Sequence, residues 1–404
     1  MKKFSPMIAL TLLAGCVALS PSTTYAQDDK QAEFERVWYD TCYVKKDNEK
    51  CYQQSKELVE KYPKSTYADA GKKNIKAYEQ NKAWEKFQAA LDAFYKQPPQ
   101  DAAKLDALFA AGDGFIQVDP DPQSPFHLFV LGQMGLAGHQ ASLTRIYQNL
   151  DKVKGYVERA MKAYESSQPS EKTKKDFDSY VTPLKDLLMA NGNQFLGFRL
   201  IETKGDQEQA LAHLTQATRV KSKDGVGWKD PNNYWLRSTI FGNQYEALKA
   251  EYDKLTDDEK NSDKGKEVRK KVNDLLDTKL IPEFARVLAT ATKPETKPLY
   301  DAAKSQFDAF WKYRTDAPEK ATDYVKNYAA DPTINSVPIP AKADTADNSA
   351  APTAPAPGAS NVNLASGGSA AAPGANGNSA SNGNGSKSAP AKSKTTAKSR
   401  KRRG

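Results

Sequence analysis

The sequence predicts an all-α fold, a solenoid of antiparallel helical hairpins, followed by a disordered C-terminal tail. Three observations lead to this prediction. Apolar side chains recur at helical spacing from about residue 27 to about residue 332, with almost none of the alternation that is typical of strands. The connections between these stretches are short, so consecutive helices are expected to be antiparallel neighbours. After Asn335 the composition changes to Pro, Ala, Ser, Gly and Asn, which cannot bury enough surface to fold.

The first 26 residues predict a secretory signal peptide. Lys2 and Lys3 precede an apolar run from Met7 to Leu19. That run is shorter than the roughly 20 residues that a membrane-spanning helix needs. Two processing sites remain open: cleavage after Ala26, or lipidation of Cys16 in the lipobox-like Leu-Ala-Gly-Cys. Both predict export to the periplasm or cell envelope, and the second adds a lipid anchor at the outer membrane.

The two later cysteines predict a turn near the start of the mature chain. Export favours a disulfide between Cys42 and Cys51. In one continuous helix their Cα atoms would lie about 13 Å apart, whereas a disulfide tolerates at most about 7 Å. We therefore expect a helix from about Glu33 to Val44, a turn at Lys45–Asn48, and a second helix to about Tyr62. Two free, buried thiols are the alternative.

The body continues as one helix after another and is expected to form a single domain, residues 27–332. Prolines end several helices, and Thr256 with Glu259 has the spacing of a capping box. Pro183, Pro282 and the glycines of 225–227 are expected to mark bends or loops. The apolar stripes of successive helices are Trp84–Tyr95, Leu105–Ile116, Val153–Tyr164, Ala210–Ala217, Phe307–Trp311 and Ala321–Tyr328.

One stretch resembles the tetratricopeptide repeat (TPR), whose signature is W-x2-L-G-x2-Y, A-x3-F and P. Leu196 and Gly197, followed by Ala210, Leu214 and Ala217, match part of that signature. The stretch departs from it in three ways: Asn193 replaces the Trp, Leu200 replaces the Tyr, and one extra residue separates the two glycines, 197 and 205. The resemblance implies a solenoid of helical hairpins that binds proteins; a non-repeat helical bundle is the alternative.

A second stretch, 57–68, contains Tyr-Pro-Lys-Ser-Thr-Tyr-Ala. It is similar to the YPxSxYA segment in repeats of bacterial envelope lipoproteins that assemble outer-membrane barrels or coordinate division. This resemblance also implies an envelope scaffold with a protein partner. Together the two matches cover only part of the chain, and the repeats are degenerate.

Residues with catalytic potential are few. The chain holds three histidines, His127, His139 and His213, and contains no GxSxG, HExxH or GxxxxGK[ST] motif. His127 and His213 are better explained by packing or surface exposure than by acid–base chemistry. The sequence therefore predicts a non-catalytic protein without a cofactor, metal ligands or catalytic residues.

A glycine-rich connection holds three candidate ligand-contact aromatics, Trp228, Tyr234 and Trp235. Their rings could offer faces to a peptide or a sugar. Packing explains them as well: Trp228 would cover a gap between hairpins, and Tyr234 and Trp235 would lie inside the next helix.

The positive charge of the chain lies in its tail, residues 333–404. The net charge is +9; eight lysines and arginines after Asp347 supply +8, and Lys2 with Lys3 supplies +2, so the body is nearly neutral. A basic cluster at the end could bind a polyanion such as anionic lipid, polysaccharide or nucleic acid. A solubilising tail without a partner is the alternative. The members of this cluster are Lys398, Arg400, Lys401, Arg402 and Arg403.

Three functions follow from these patterns. The preferred one is an exported helical-repeat scaffold that binds a protein or peptide, with the basic tail as an electrostatic tether. The second is a module that binds an envelope polymer, either cell-wall glycan or anionic lipid or polysaccharide, through the three aromatics and the tail. The third is an enzyme on a helical scaffold, such as a wall hydrolase.

Overall fold

The structure is a computed structural model that describes residues 27–98 and 100–342. This part of the chain is helical throughout and forms no β-strand, so the predicted all-α class is confirmed. The α-helices are α1 Gln27–Tyr39, α2 Asn48–Lys61, α3 Ala68–Lys96, α4 Ala102–Val118, α5 Pro125–Leu143, α6 Leu150–Ser166, α7 Lys174–Tyr180, α8 Thr182–Glu202, α9 Gln207–Arg219, α10 Pro231–Asp253, α11 Asp257–Asn261, α12 Asp263–Leu275, α13 Ile281–Thr290, α14 Lys297–Arg314 and α15 Ala321–Lys326. Two π-helical turns, Asp40–Lys45 and Leu276–Leu280, follow α1 and α12.

Short polar side chains begin many of these helices. Asp47, Asp101 and Asp206 accept hydrogen bonds from backbone N–H groups in the first turns of α2, α4 and α9. These bonds satisfy donors that have no partner within the helix. Thr256 and Glu259 form the predicted capping box at the start of α11.

Neighbouring helices in the sequence are also neighbours in space. The helix α2 packs on α3, α3 on α4, α4 on α5, α5 on α6, and α8 on α9. In addition α5 packs on α8, α8 on α10, and α10 on α13, so these helices form a continuous row. Short connections between packed neighbours make antiparallel helical hairpins. One apolar cluster extends through the row, from Trp84 to Tyr328.

The two motif stretches form helical hairpins with close helix–helix contact. A Cβ atom added at Gly197 of α8 would lie 2.7 Å from Cγ of Leu214 and 3.1 Å from the carbonyl oxygen of Ala210 on α9. A Cβ added at Gly71 of α3 would lie 3.3 Å from Cδ2 of Leu58 on α2. Glycine therefore permits the close approach at both places. Such contacts occur in many helical hairpins and do not identify the family.

The packed chain extends past the predicted domain boundary at 332. The carbonyl oxygen of Pro332 accepts a hydrogen bond of 2.8 Å from Nε of Arg286, and the N–H of Val337 donates one of 2.8 Å to the hydroxyl of Tyr328. Val337 and Ile339 pack against the apolar cluster. We call residues 331–342 the C-terminal strap. Residues 333–342 of the predicted linker are therefore packed on the body; the remainder of the predicted tail lies outside the described residues.

Candidate functional site

A disulfide joins the first two helices. Cys42 lies in the π-helical turn after α1 and is bonded to Cys51 of α2, with the Cα atoms 4.9 Å apart. The chain reverses at Lys46, whose φ of 56° is left-handed, and Asp47 then caps α2. The predicted pairing and turn are confirmed, because a continuous helix cannot bring these two residues together.

Next to this disulfide, two exposed tyrosines and a half-buried one form an aromatic surface that we call the tyrosine patch: Tyr39, Tyr67 and the half-buried Tyr43. The ring centroids of Tyr39 and Tyr43 are 5.1 Å apart, and those of Tyr39 and Tyr67 are 6.5 Å apart. Tyr39 is 43% exposed and Tyr67 is 38% exposed. Beneath them Trp38 is fully buried, and its ring centroid lies 5.5 Å from the ring centroids of both Tyr43 and Tyr67.

Hydrogen bonds hold the residues beneath and beside the tyrosine patch in place. The indole N–H of Trp38 donates a 2.9 Å hydrogen bond to the buried hydroxyl of Ser55 on α2. At the start of α3, the N–H of Tyr67 donates to the hydroxyl of Ser65. That hydroxyl in turn donates to the carboxylate of Glu35 on α1. These bonds join α1, α2 and the connection before α3, so the patch is presented by a cross-linked surface.

Exposure of large apolar side chains is concentrated at this end of the molecule. Among the described residues, the exposed large hydrophobic side chains are Val37, Tyr39, Val44, Tyr67 and, far along the chain, Ile334. Single exposed apolar residues are ordinary, whereas contiguous ones mark interaction sites. Sequence analysis did not select these tyrosines. The available signal was the pair Tyr39 and Tyr43, one turn apart beside Cys42.

The glycine-rich loop does not present the three aromatics that the sequence suggested. Tyr234 and Trp235 are buried inside α10, as the packing interpretation of the sequence expects. Trp228 is half-buried, and its indole N–H donates to the carbonyl of Ser222. The Nζ atom of Lys229 lies 4.5 Å from the Trp228 ring centroid, and that of Lys221 lies 5.5 Å from it. The Trp228 ring therefore already has two cation–π partners.

The histidines have structural partners. The Nδ1 atom of His127 lies 2.9 Å from the carbonyl oxygen of Asp119, and Nδ1 of His213 lies 3.0 Å from Oδ1 of Asn193. Burial lowers the pKa of His139 to about 4, so this imidazole is neutral at neutral pH. These contacts agree with the packing interpretation made from the sequence.

His139 belongs to a buried polar network across α5, α8 and α10. Its Nε2 atom lies 2.9 Å from Oε1 of Gln194, whose amide donates to Oδ2 of Asp230 at 2.8 Å and to Oδ1 of Asn233 at 3.0 Å. Burial raises the pKa of the Asp230 carboxyl. Asp230 also accepts from the N–H of Asn232 and so caps α10. This network joins α5, α8 and the start of α10.

A buried ion triad joins two later helices, α10 and α13, to the C-terminal strap. Glu283 of α13 forms ion pairs with Arg237 of α10 at 2.8 Å and with Arg286 at 2.9 Å. Arg286 also donates to the carbonyl oxygens of Pro332 and Ile334 in the C-terminal strap. The three charges therefore connect α10, α13 and the strap.

Several predicted sites lie outside the described residues. These are the signal peptide with Cys16, and the basic tail with Lys398, Arg400, Lys401, Arg402 and Arg403. Within 27–98 and 100–342, no group of three or more His, Cys, Asp or Glu side chains is arranged to hold a metal ion. In the same ranges every helix is too short or too polar to cross a membrane.

Comparisons with known proteins give no relative. No protein-family model, no curated protein and no solved structure matches this chain.

Proposed function

We propose that this chain is an exported, non-catalytic scaffold of the bacterial envelope that binds a protein or peptide through the tyrosine patch. The observation that carries the proposal is the concentration of exposed aromatic and aliphatic side chains at the disulfide-bonded hairpin. Tyrosine is enriched in protein interfaces because its ring gives a large contact area with few rotatable bonds. The signal-peptide pattern and the disulfide support export.

The helix row would serve as a rigid support, in the manner of a TPR-like solenoid. The packing of α5, α8, α10 and α13 in succession supports that assignment. The basic tail would add an electrostatic tether to a polyanionic envelope component. Polymer binding through Trp228, Tyr234 and Trp235 is less well supported, since two of these rings are buried and lysines cover the third.

The test is capture of envelope proteins by the mature chain and by variants of the tyrosine patch. The double variant Tyr39→Ser/Tyr67→Ser should lose the partner that the unmodified chain retains after cross-linking. Ile334→Ser is the matched control, because Ile334 is also exposed but is far from the patch in sequence, in the strap. Equal capture by the double variant, with an unchanged circular dichroism spectrum, would refute the proposal.

A chain that ends after Lys342 separates the tail from the body. Under the proposal, this shortened chain still binds the protein partner, because the patch is about three hundred residues before the tail. It loses only the salt-sensitive binding of a polyanion by the tail.

A further inference from the structure

We infer that the segment docking on the tyrosine patch is acidic, with aromatic or aliphatic anchors set between its carboxylates. This inference rests on the proposed function and specifies the partner of the same site. It follows from the state of the charged groups around the three rings, where carboxylates are engaged and several cations are not.

The carboxylates nearest the patch already have partners. Asp40 pairs with Lys45 at 2.6 Å. Asp47 accepts from the backbone N–H of Lys50 at the start of α2. Glu35 accepts from the hydroxyl of Ser65 at 2.5 Å. Glu35 joins α1 to the connection before α3, Asp47 caps α2, and Asp40 is neutralised by Lys45, so none of the three is a free carboxylate for a basic partner.

Three exposed cations near the patch have no such role. Within the described residues, no carboxylate forms an ion pair with Arg36, Lys46 or Lys64, and all three are exposed. Arg36 lies one helical turn before Tyr39, which places both side chains on adjoining positions of α1.

The other two cations lie equally near the rings in the chain. Lys46 is the third residue after Tyr43, at the left-handed turn of the hairpin. Lys64 is the third residue before Tyr67, in the connection between α2 and α3. Each tyrosine of the patch therefore has an unpaired cation within three residues of it.

An acidic peptide complements this arrangement. Its apolar side chains would cover the rings, and its carboxylates would meet cations whose charge is otherwise unmatched. A basic segment would bring like charges together.

Single-stranded nucleic acid is a poorer fit. Its bases stack on parallel aromatic faces, whereas the patch rings are inclined by 36° between Tyr39 and Tyr43 and by 55° between Tyr39 and Tyr67.

The test places a photo-reactive residue beside the patch in the mature full-length chain. Val44 is 64% exposed and follows Tyr43 directly, so Val44→p-benzoylphenylalanine should report what lies on the rings. Cross-linking is carried out in envelope extract, and mass spectrometry identifies the peptide that becomes attached. The same photo-reactive residue at Ile334 serves as the control position.

We expect the peptide attached at position 44 to contain an excess of Asp and Glu around aromatic or aliphatic residues. Each single reversal, Arg36→Glu, Lys46→Glu or Lys64→Glu, should weaken capture about 1.5- to fivefold, the range for exposed charge pairs. Lys223→Glu, at an exposed lysine of the glycine-rich loop, should leave capture unchanged. Added salt should reduce capture by the unmodified chain.

The outcomes separate the two proposals. A neutral or basic attached peptide, or reversals no more harmful than Lys223→Glu, would overturn the acidic partner while the tyrosine patch stands as a binding site. Attachment of nucleic acid would overturn it too. If cross-linking at position 44 does not depend on Tyr39 and Tyr67, both proposals fail.

Discussion

Replacement of Glu283 by glutamine should destabilise the body strongly, because it leaves the buried guanidinium group of Arg286 and the partly buried one of Arg237 without their counter-ion. The side chain of Glu283 is 2% exposed, that of Arg286 is 6% exposed, and that of Arg237 is 20% exposed. Removing one partner of a buried ion pair lowers the free energy of unfolding by about 3–5 kcal/mol. The loss comes from the uncompensated charge and does not measure the net value of the triad.

Urea denaturation followed by circular dichroism measures this effect. With a slope of about 3 kcal/mol per molar urea, the expected loss lowers the midpoint by about 1–2 M. The matched control is Asp308→Asn, which breaks an ion pair with Lys304 in α14 whose side chains are about half exposed. Pairs of that kind contribute about 0.3–0.5 kcal/mol, so the control midpoint should hardly move.

The C-terminal strap should loosen in the same variant. Arg286 donates hydrogen bonds to the carbonyl oxygens of Pro332 and Ile334, and it needs Glu283 to stay in place. The amide of Val337, which donates to Tyr328, should therefore exchange with deuterium faster in Glu283→Gln than in Asp308→Asn. A midpoint shift no larger than that of the control, with unchanged exchange at Val337, would refute this account of the triad.

Three further predictions concern stability. The double variant Cys42→Ser/Cys51→Ser should lose about 2–3 kcal/mol from the N-terminal hairpin, because a short closed loop is released in the unfolded chain; hydrogen exchange in α1 and α2 measures it. Gly197→Val should lose about 1–3 kcal/mol through the clash with Leu214, whereas Gly155→Ala, which meets no atom within 4 Å, should gain about 0.5–1 kcal/mol in thermal melts. Burial lowers the pKa of His139 in the folded state to about 4, below its value of about 6.5 in the unfolded chain. The free energy of unfolding should therefore fall as the pH decreases from about 6.5 to about 4. Over that pH range the urea midpoint of His139→Gln should fall less than that of the unmodified chain.

Local signals predicted much of this fold. Helical periodicity found the helices around Trp84, Leu105 and Val153 because each buries one face. The spacing of Cys42 and Cys51 required a turn, and the turn is present. Each of these features depends on residues that are close in the sequence.

Features that depend on distant contacts were not predicted. Composition placed Val337 and Ile339 in a tail, yet they pack on the core because Arg286 and Tyr328 hold the strap in place. The sequence also suggested a bend or loop at Pro282. This proline lies in the first turn of α13, where a missing N–H is tolerated, directly after a π-helical turn.

The tyrosine patch was not predicted from the sequence, for a related reason. An aromatic residue in a helix is usually a core residue, and Trp38 is one, with no exposed surface. Whether its neighbours Tyr39 and Tyr43 are buried depends on what the rest of the chain places above them. In the described residues nothing covers Tyr39 or Tyr67 fully, and that is a property of tertiary packing that periodicity does not contain.

The position of the disulfide explains why exposed tyrosines can persist at this end of the molecule. The continuous apolar cluster begins at Trp84, and few apolar residues before it, among them Trp38 and Leu58, are buried. A group of that size contributes little stability, and a disulfide compensates for it by restricting the unfolded chain. The stability of the hairpin therefore does not depend on burying the rings of Tyr39 and Tyr67 in a core. They remain available on a cross-linked surface, which lowers the conformational entropy that a partner must overcome on binding.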